Sequence, residues 1–166
     1  MRAIDVLLAL PGFLIALVTI TILGVGTVNL IIALGIYSIP TFARIGHATA
    51  LSLRPVEFVQ AAVSQGATDL RVLLRHVLPN VLSPLFVQAS LRMATALLLA
   101  SSLSFLGLGV QPPMPEWGAM LANGRSYLST SPHVVLFPGL AIMLVTLGFN
   151  LLGDGLRDVF DPRLRA

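Results

Sequence analysis

The chain has 166 residues, one domain's worth by length. Apolar residues make up 56% of it and charged residues only 10%, against about 25% charged in a soluble domain. A chain this short has too little interior to hide that much apolar surface, and the mean hydropathy of +0.92 points to lipid as the solvent, which excludes a soluble globular enzyme and a disordered chain. The net charge of +3 comes from ten basic residues, all Arg and spread along the chain, not clustered as in a nucleic-acid footprint. There is no cysteine, so disulfides, thiolate metal sites and thiol nucleophiles are excluded together.

Between Asp5 and Arg44 run 38 residues without a charged side chain. A spanning helix takes about 20 apolar residues, so this stretch holds two. The break falls at Gly24-Val25-Gly26-Thr27-Val28-Asn29, where glycines and an Asn supply turn chemistry. Spans are predicted near 6–24 and 28–46, paired as an antiparallel hairpin. Residues 1–24 are read as a span and not as a signal peptide: Asp5 and Pro11 sit awkwardly for one, and an equally apolar run follows at once.

Residues 47–80 carry Arg54, Glu57, Asp69, Arg71, Arg75, His47 and His76 and belong in water or at an interface. Pro55 suits a first helical turn. A short helix is predicted through 57–63, ending at Gly66, and a second over 69–78, capped by Thr68 or Asp69 and stopped by Pro79. In the second, Leu70, Leu73, Leu74 and Val77 form an apolar stripe at i, i+3, i+4, i+7, with Arg71 and Arg75 opposite. The result is a helix–turn–helix elbow. It suits either the lipid headgroups or a soluble partner, whose surface the small Ala61 and Ala62 would let approach closely.

A third apolar run covers 81–106, interrupted only by Arg92, and a fourth covers 132–153. Between them, 107–131 holds Pro112, Pro113, Pro115, Glu116 and Arg125 and is too polar to span. There Trp117, Met120, Leu121 and Leu128 suggest an amphipathic helix lying at the outer surface, with Trp117 and Tyr127 in the interfacial belt. Eight arginines fall on the side of the elbow and both termini, against Arg125 alone on the other, so that side is expected to be cytoplasmic. The expected fold is all-α: a polytopic transmembrane helical protein of four spans with a cytoplasmic two-helix coupling loop at 47–80 and an external loop at 107–131.

Gln60-Ala61-Ala62, Gly66 and His76-Val77-Leu78-Pro79, in that spacing, resemble the EAA loop of ABC-importer permeases. Leu103-Ser104-Phe105-Leu106-Gly107-Leu108-Gly109-Val110-Gln111-Pro112-Pro113 and Asn150-Leu151-Leu152-Gly153-Asp154-Gly155-Leu156-Arg157-Asp158 narrow it. The whole chain is similar to the second permease subunit of dipeptide, oligopeptide or nickel importers. The resemblance implies that 1–166 is a permease transmembrane domain in an inner membrane. It also implies a sister permease, cytoplasmic ATP-binding subunits and an extracytoplasmic substrate-binding protein as partners. ATPase docking would fall to Glu57, Gln60, Ala61, Ala62, Gly66, Leu78 and Pro79. Two departures stand out. Gln60 replaces the family's Glu, with Glu57 one turn earlier as a substitute. Met1-Arg2-Ala3-Ile4-Asp5 resembles the segment before the family's third span, which implies two preceding spans absent here through a miscalled start, a truncated gene or a degraded copy.

No P-loop, no Ser-His-Asp set and no metal-ligand spacing is present in the sequence, so no enzyme activity, metal or cofactor is expected, and hydrolysis must come from a partner. Arg92 has two readings: a pathway group meeting a peptide carboxylate, or a structural group that snorkels toward the cytoplasm or pairs with a neighbour. His47, His76 and His133 are expected to make interfacial contacts, and Asn29 and Asn150 to serve packing or turns. The rival classes are a channel or secondary carrier, which would need intramembrane acids for ion coupling, and an inactive permease remnant.

Overall fold

The computed structural model describes residues 1–160. Arg163 and Arg165, two of the eight arginines counted above, lie outside the described residues. The architecture is all-helical: α1 (Arg2–Ala9), α2 (Gly12–Leu23), α3 (Thr27–Leu53), α4 (Glu57–Ser64), α5 (Asp69–Val72), α6 (Leu78–Phe105), α7 (Trp117–Gly124) and α8 (His133–Phe160). A π-helical turn, Leu73–Val77, joins α5 to α6, and a 3₁₀ turn, Arg125–Tyr127, follows α7.

Three helical stretches, Thr27–Leu53, Asp69–Phe105 and His133–Val159, are long and apolar enough to cross a membrane. The first predicted span is different. Pro11 breaks it, and α1 and α2 meet at 95°. Alone, the 12 residues of α2 reach about 18 Å, against a hydrocarbon core of about 30 Å. Residues 6–24 are therefore a bent pair, because Pro11 has no N–H to give Leu7 and the residue before a proline favours extended backbone. Leu10 is extended, with φ −86° and ψ 140°.

The turn from α2 to α3 follows the predicted chemistry. Gly24 and Gly26 have φ of +90° and +141°, which an L side chain rarely adopts. The Asn29 side chain donates to the Leu23 and Gly24 carbonyls at 2.8 and 3.0 Å, satisfying acceptors that the end of α2 leaves open. Against the prediction of 28–46, α3 continues to Leu53. No Pro or Gly intervenes between His47 and Leu53, and its 27 residues extend about 40 Å. That is longer than a hydrocarbon core of about 30 Å, and the far end of the helix carries the elbow.

The core between spans is narrow. Ala16, Ile20, Leu30, Ala33 and Leu103 are buried, joining α2, α3 and α6. Most other large apolar residues face outward, among them Ile22 at 76% exposure and Phe137 at 66%. That inversion of the soluble pattern fits a chain whose outer surface meets lipid or further helices. α7 packs on both α6 and α8, while Trp117 and Met120 stay exposed. Gly118 and Gly124 are buried, and a β-carbon on Gly118 would sit 2.1 Å from the Ser101 carbonyl oxygen. Small residues let the helices approach this closely. The Glu116 carboxylate caps α7 by accepting from the Ala119 N–H at 2.7 Å, so the charge next to the helix satisfies its first turn.

Candidate functional site

The elbow begins with α4, whose end closes as the sequence suggests. Gly66 has φ +78°, its N–H donates to Val63 at 2.9 Å, and the Ala67 N–H reaches back to the Ala62 carbonyl at 3.1 Å. This pair of bonds around a left-handed residue is the Schellman arrangement. Thr68 then caps α5, its hydroxyl accepting from the Arg71 N–H at 3.4 Å.

Two features depart from the expected second helix. Pro79 does not stop it: the chain runs helical from Asp69 to Phe105. Pro79 instead occupies the first turn of α6, where its missing N–H is tolerated. The π turn before it absorbs the register change, and the Asn80 side chain donates to the His76 carbonyl at 2.7 Å. The same π turn rotates the apolar stripe. Of Leu70, Leu73, Leu74 and Val77, only Val77 is buried. The leucines are 64%, 49% and 54% exposed. Val72 and Val77, five apart, point inward together, as wider π turns require, and pack with Val59 and Val81.

This small valine core pins α4 to the base of α6, with Ala50 and Leu53 of α3 against it. The predicted docking residues remain on the outside. Glu57, Gln60, Ala61, Gly66, Leu78 and Pro79 are exposed, and Ala62 is half-buried. Between α4 and the π turn lies a groove of about 410 Å³, its walls including Phe58, Ala61, Ala62, Arg71 and His76. The Phe58 and His76 rings meet at 6.4 Å. Arg71 and Arg75 are exposed, and the single ion pair among the described residues is Arg44–Asp5 at 2.8 Å. The elbow therefore presents two arginines without an acidic partner beside an apolar floor.

Arg92, the other predicted candidate, lies at the middle of α6, about 21 Å by helix rise from Leu78 and about 20 Å from Phe105. Its guanidinium donates to the Tyr37 hydroxyl at 2.7 Å and to the Thr41 hydroxyl, and it stands 5.1 Å from the centre of the Tyr37 ring. Arg92 thus pairs with α3, using neutral acceptors and an aromatic face. Beneath that ring is Gly12, where a β-carbon would come within 2.1 Å of Tyr37 Cε2. The start of α2 is consequently at the depth of Arg92. Tyr37, Thr41 and Gly12 were not singled out from sequence; the available signal was a glycine directly after the breaking Pro11. His47 is exposed at the elbow's base and His133 opens α8.

A family model described as "Binding-protein-dependent transport system inner membrane component" matches residues 1–166. The chain is similar along its whole length to proteins called glutathione transport system permease protein GsiD. Identity is 50% with that of Pectobacterium atrosepticum and 51% with those of Escherichia coli O1:K1 / APEC and Shigella flexneri serotype 5b. It spans 55% of the length of each of these relatives. The match covers both the elbow and the spans around it, and the chain belongs to the family of binding-protein-dependent transport system inner membrane components.

Proposed function

We propose that this chain is a transmembrane permease subunit of an ATP-driven ABC importer, working with a sister permease, cytoplasmic ATP-binding subunits and an extracytoplasmic binding protein. The family membership supports this, and the relatives' naming as glutathione transport permeases favours small peptides over nickel as the cargo. The observation that carries the coupling role is the elbow itself, a rigidly anchored knob with an open small-residue face at Ala61, Ala62 and Gly66. In this reading the elbow seats in a cleft of the ATP-binding subunit. Closure of the ATPase dimer moves it, and the valine core passes the motion to α3 and α6, which open the pathway to alternate sides.

Arg71 and Arg75 supply the polar part of the contact and meet acidic side chains of the ATP-binding subunit. Arg71 stands ten residues before Val81, about 15 Å along the helix, beyond a headgroup layer about 5–7 Å deep, which favours a protein over lipid there. The elbow and both termini then face the cytoplasm. Hydrolysis takes place in the partner, and this chain contributes binding and movement only.

Replacing Ala61 by Trp tests the docking. The site is exposed, so the variant is expected to fold and insert normally while losing the ATP-binding subunit in a mild-detergent pull-down. Retention of that subunit at the unmodified level contradicts the assignment.

A further inference from the structure

We propose, resting on the importer reading, that Arg92 is a carboxylate-binding group on the transport pathway, held ready by Tyr37 and Thr41. An arginine near the bilayer centre costs about 2.5–3.5 kcal/mol on insertion scales, and such residues face a bundle interior or a water-filled cavity. Arg92 is half-buried, so it is not sealed inside this chain. Its counter-charge is not on this chain among the described residues. No acid pairs with it. Among the six described acids Asp154 comes closest in depth, since its neighbour Gly153 packs on Leu91 beside Arg92, yet it forms no ion pair with the guanidinium.

The neutral partners define what is left to bind. A guanidinium has five N–H groups. One bond to Tyr37 and one to Thr41 leave three free. The Tyr37 and Thr41 oxygens accept from Arg92, so each hydroxyl keeps its own hydrogen to donate. The Tyr37 ring is fixed between Arg92 and the backbone at Gly12. The arrangement is a cation with directed donors and no anion, which suits a planar carboxylate by two parallel hydrogen bonds. A peptide-like substrate carries such a group at its C-terminus. A carboxylate of the sister permease has the same chemistry, and the test separates the two.

The experiment uses the complete transporter in proteoliposomes with its binding protein, comparing the unmodified complex with Arg92→Gln, Arg92→Lys and Tyr37→Phe. Three quantities are read: subunit composition of the purified complex, ATP hydrolysis stimulated by the loaded binding protein, and uptake of a peptide as free acid and as carboxamide. Uptake is corrected for each form's occupancy of the binding protein. The expected result is assembly and ATP hydrolysis within about twofold of the unmodified complex for Arg92→Gln, with acid uptake reduced about tenfold, the scale of a lost charged hydrogen bond. Acid-over-carboxamide preference should fall to near one in Arg92→Gln and survive in part in Arg92→Lys. Tyr37→Phe, which removes a positioning hydroxyl, should lower the preference less.

Unchanged uptake or preference in Arg92→Gln overturns the proposal. Loss of the sister permease from the Arg92→Gln complex also overturns it, since the carboxylate then belongs to that subunit. Failure of the unmodified complex to import any peptide with ATP contradicts the importer reading itself, independently of the variants.

Discussion

Gly66 gives the sharpest local test of the elbow's architecture. A β-carbon there would meet nothing within 4 Å, so a substitution acts through backbone conformation alone. At φ +78° an L side chain costs about 1–2 kcal/mol, offset by about 0.4–1 kcal/mol from the reduced freedom of the unfolded segment. The net loss for Gly66→Ala is about 0–1.6 kcal/mol, centred near 0.8, or about a fourfold and at most about a fifteenfold larger open population. The two amides that close the turn, bonded to Val63 and Ala62, report it directly. Hydrogen exchange of residues 66 and 67 should accelerate by about that factor in Gly66→Ala, more in Gly66→Val, and least in Gly66→Asn, because asparagine tolerates the left-handed region. Equal acceleration by Asn, Ala and Val would refute the argument that the turn depends on positive φ.

Gly118→Ala should destabilise the packing of α7, because its β-carbon lands 2.1 Å from a backbone oxygen that cannot rotate away. A loss of about 1–3 kcal/mol is expected, followed by the fluorescence of Trp117, the single tryptophan, one residue away; an unchanged melting profile would refute the close contact. Leu103→Ala, at a fully buried site, should lower stability by about 2–5 kcal/mol, whereas Leu151→Ala, 63% exposed, should stay within about 0.5 kcal/mol. Equal losses in denaturant titrations would put the core elsewhere. Asp5→Asn breaks the Arg44 pair, but both side chains are more than half exposed, so stability should change by less than about 0.5 kcal/mol, and a larger loss would show that the pair is shielded.

Three of the four spans in outline, the glycine turn and the end of α4 at Gly66 were legible because each rests on local chemistry. Charge-free length, Gly24 and Gly26 at a turn, and Gly66 followed by Thr68 act within a few residues. What escaped depends on registers set by packing. Pro79 marks a helix end only if the helix before it is α-helical. A π turn shifts the hydrogen bonds, moves proline into a first turn and exchanges the Leu70/Leu74 stripe for Val72 and Val77. Pro11 stands out as awkward for a signal peptide yet falls inside a predicted span, where it breaks the helix at 95°. The close approach of the Tyr37 ring to Gly12, 25 residues apart, follows from packing that local chemistry does not show. Arg92 was visible as a buried charge, while its partners on α3 follow from helix pairing that periodicity does not encode. α7 looked amphipathic, but its close approach to α6 and α8 at Gly118 and Gly124 is set by packing.

The docking account is tested most directly by cross-linking from single cysteines, for which a chain with no cysteine of its own is well suited. Gln60→Cys on the exposed face of α4 and Gln111→Cys in the exposed segment beyond α6 are each installed in the assembled transporter and treated with a short bifunctional reagent. The account predicts a cross-link to the ATP-binding subunit from Gln60→Cys, with a yield that changes when ATP is added, and none from Gln111→Cys. A cross-link to that subunit from Gln111→Cys, with none from Gln60→Cys, would contradict it.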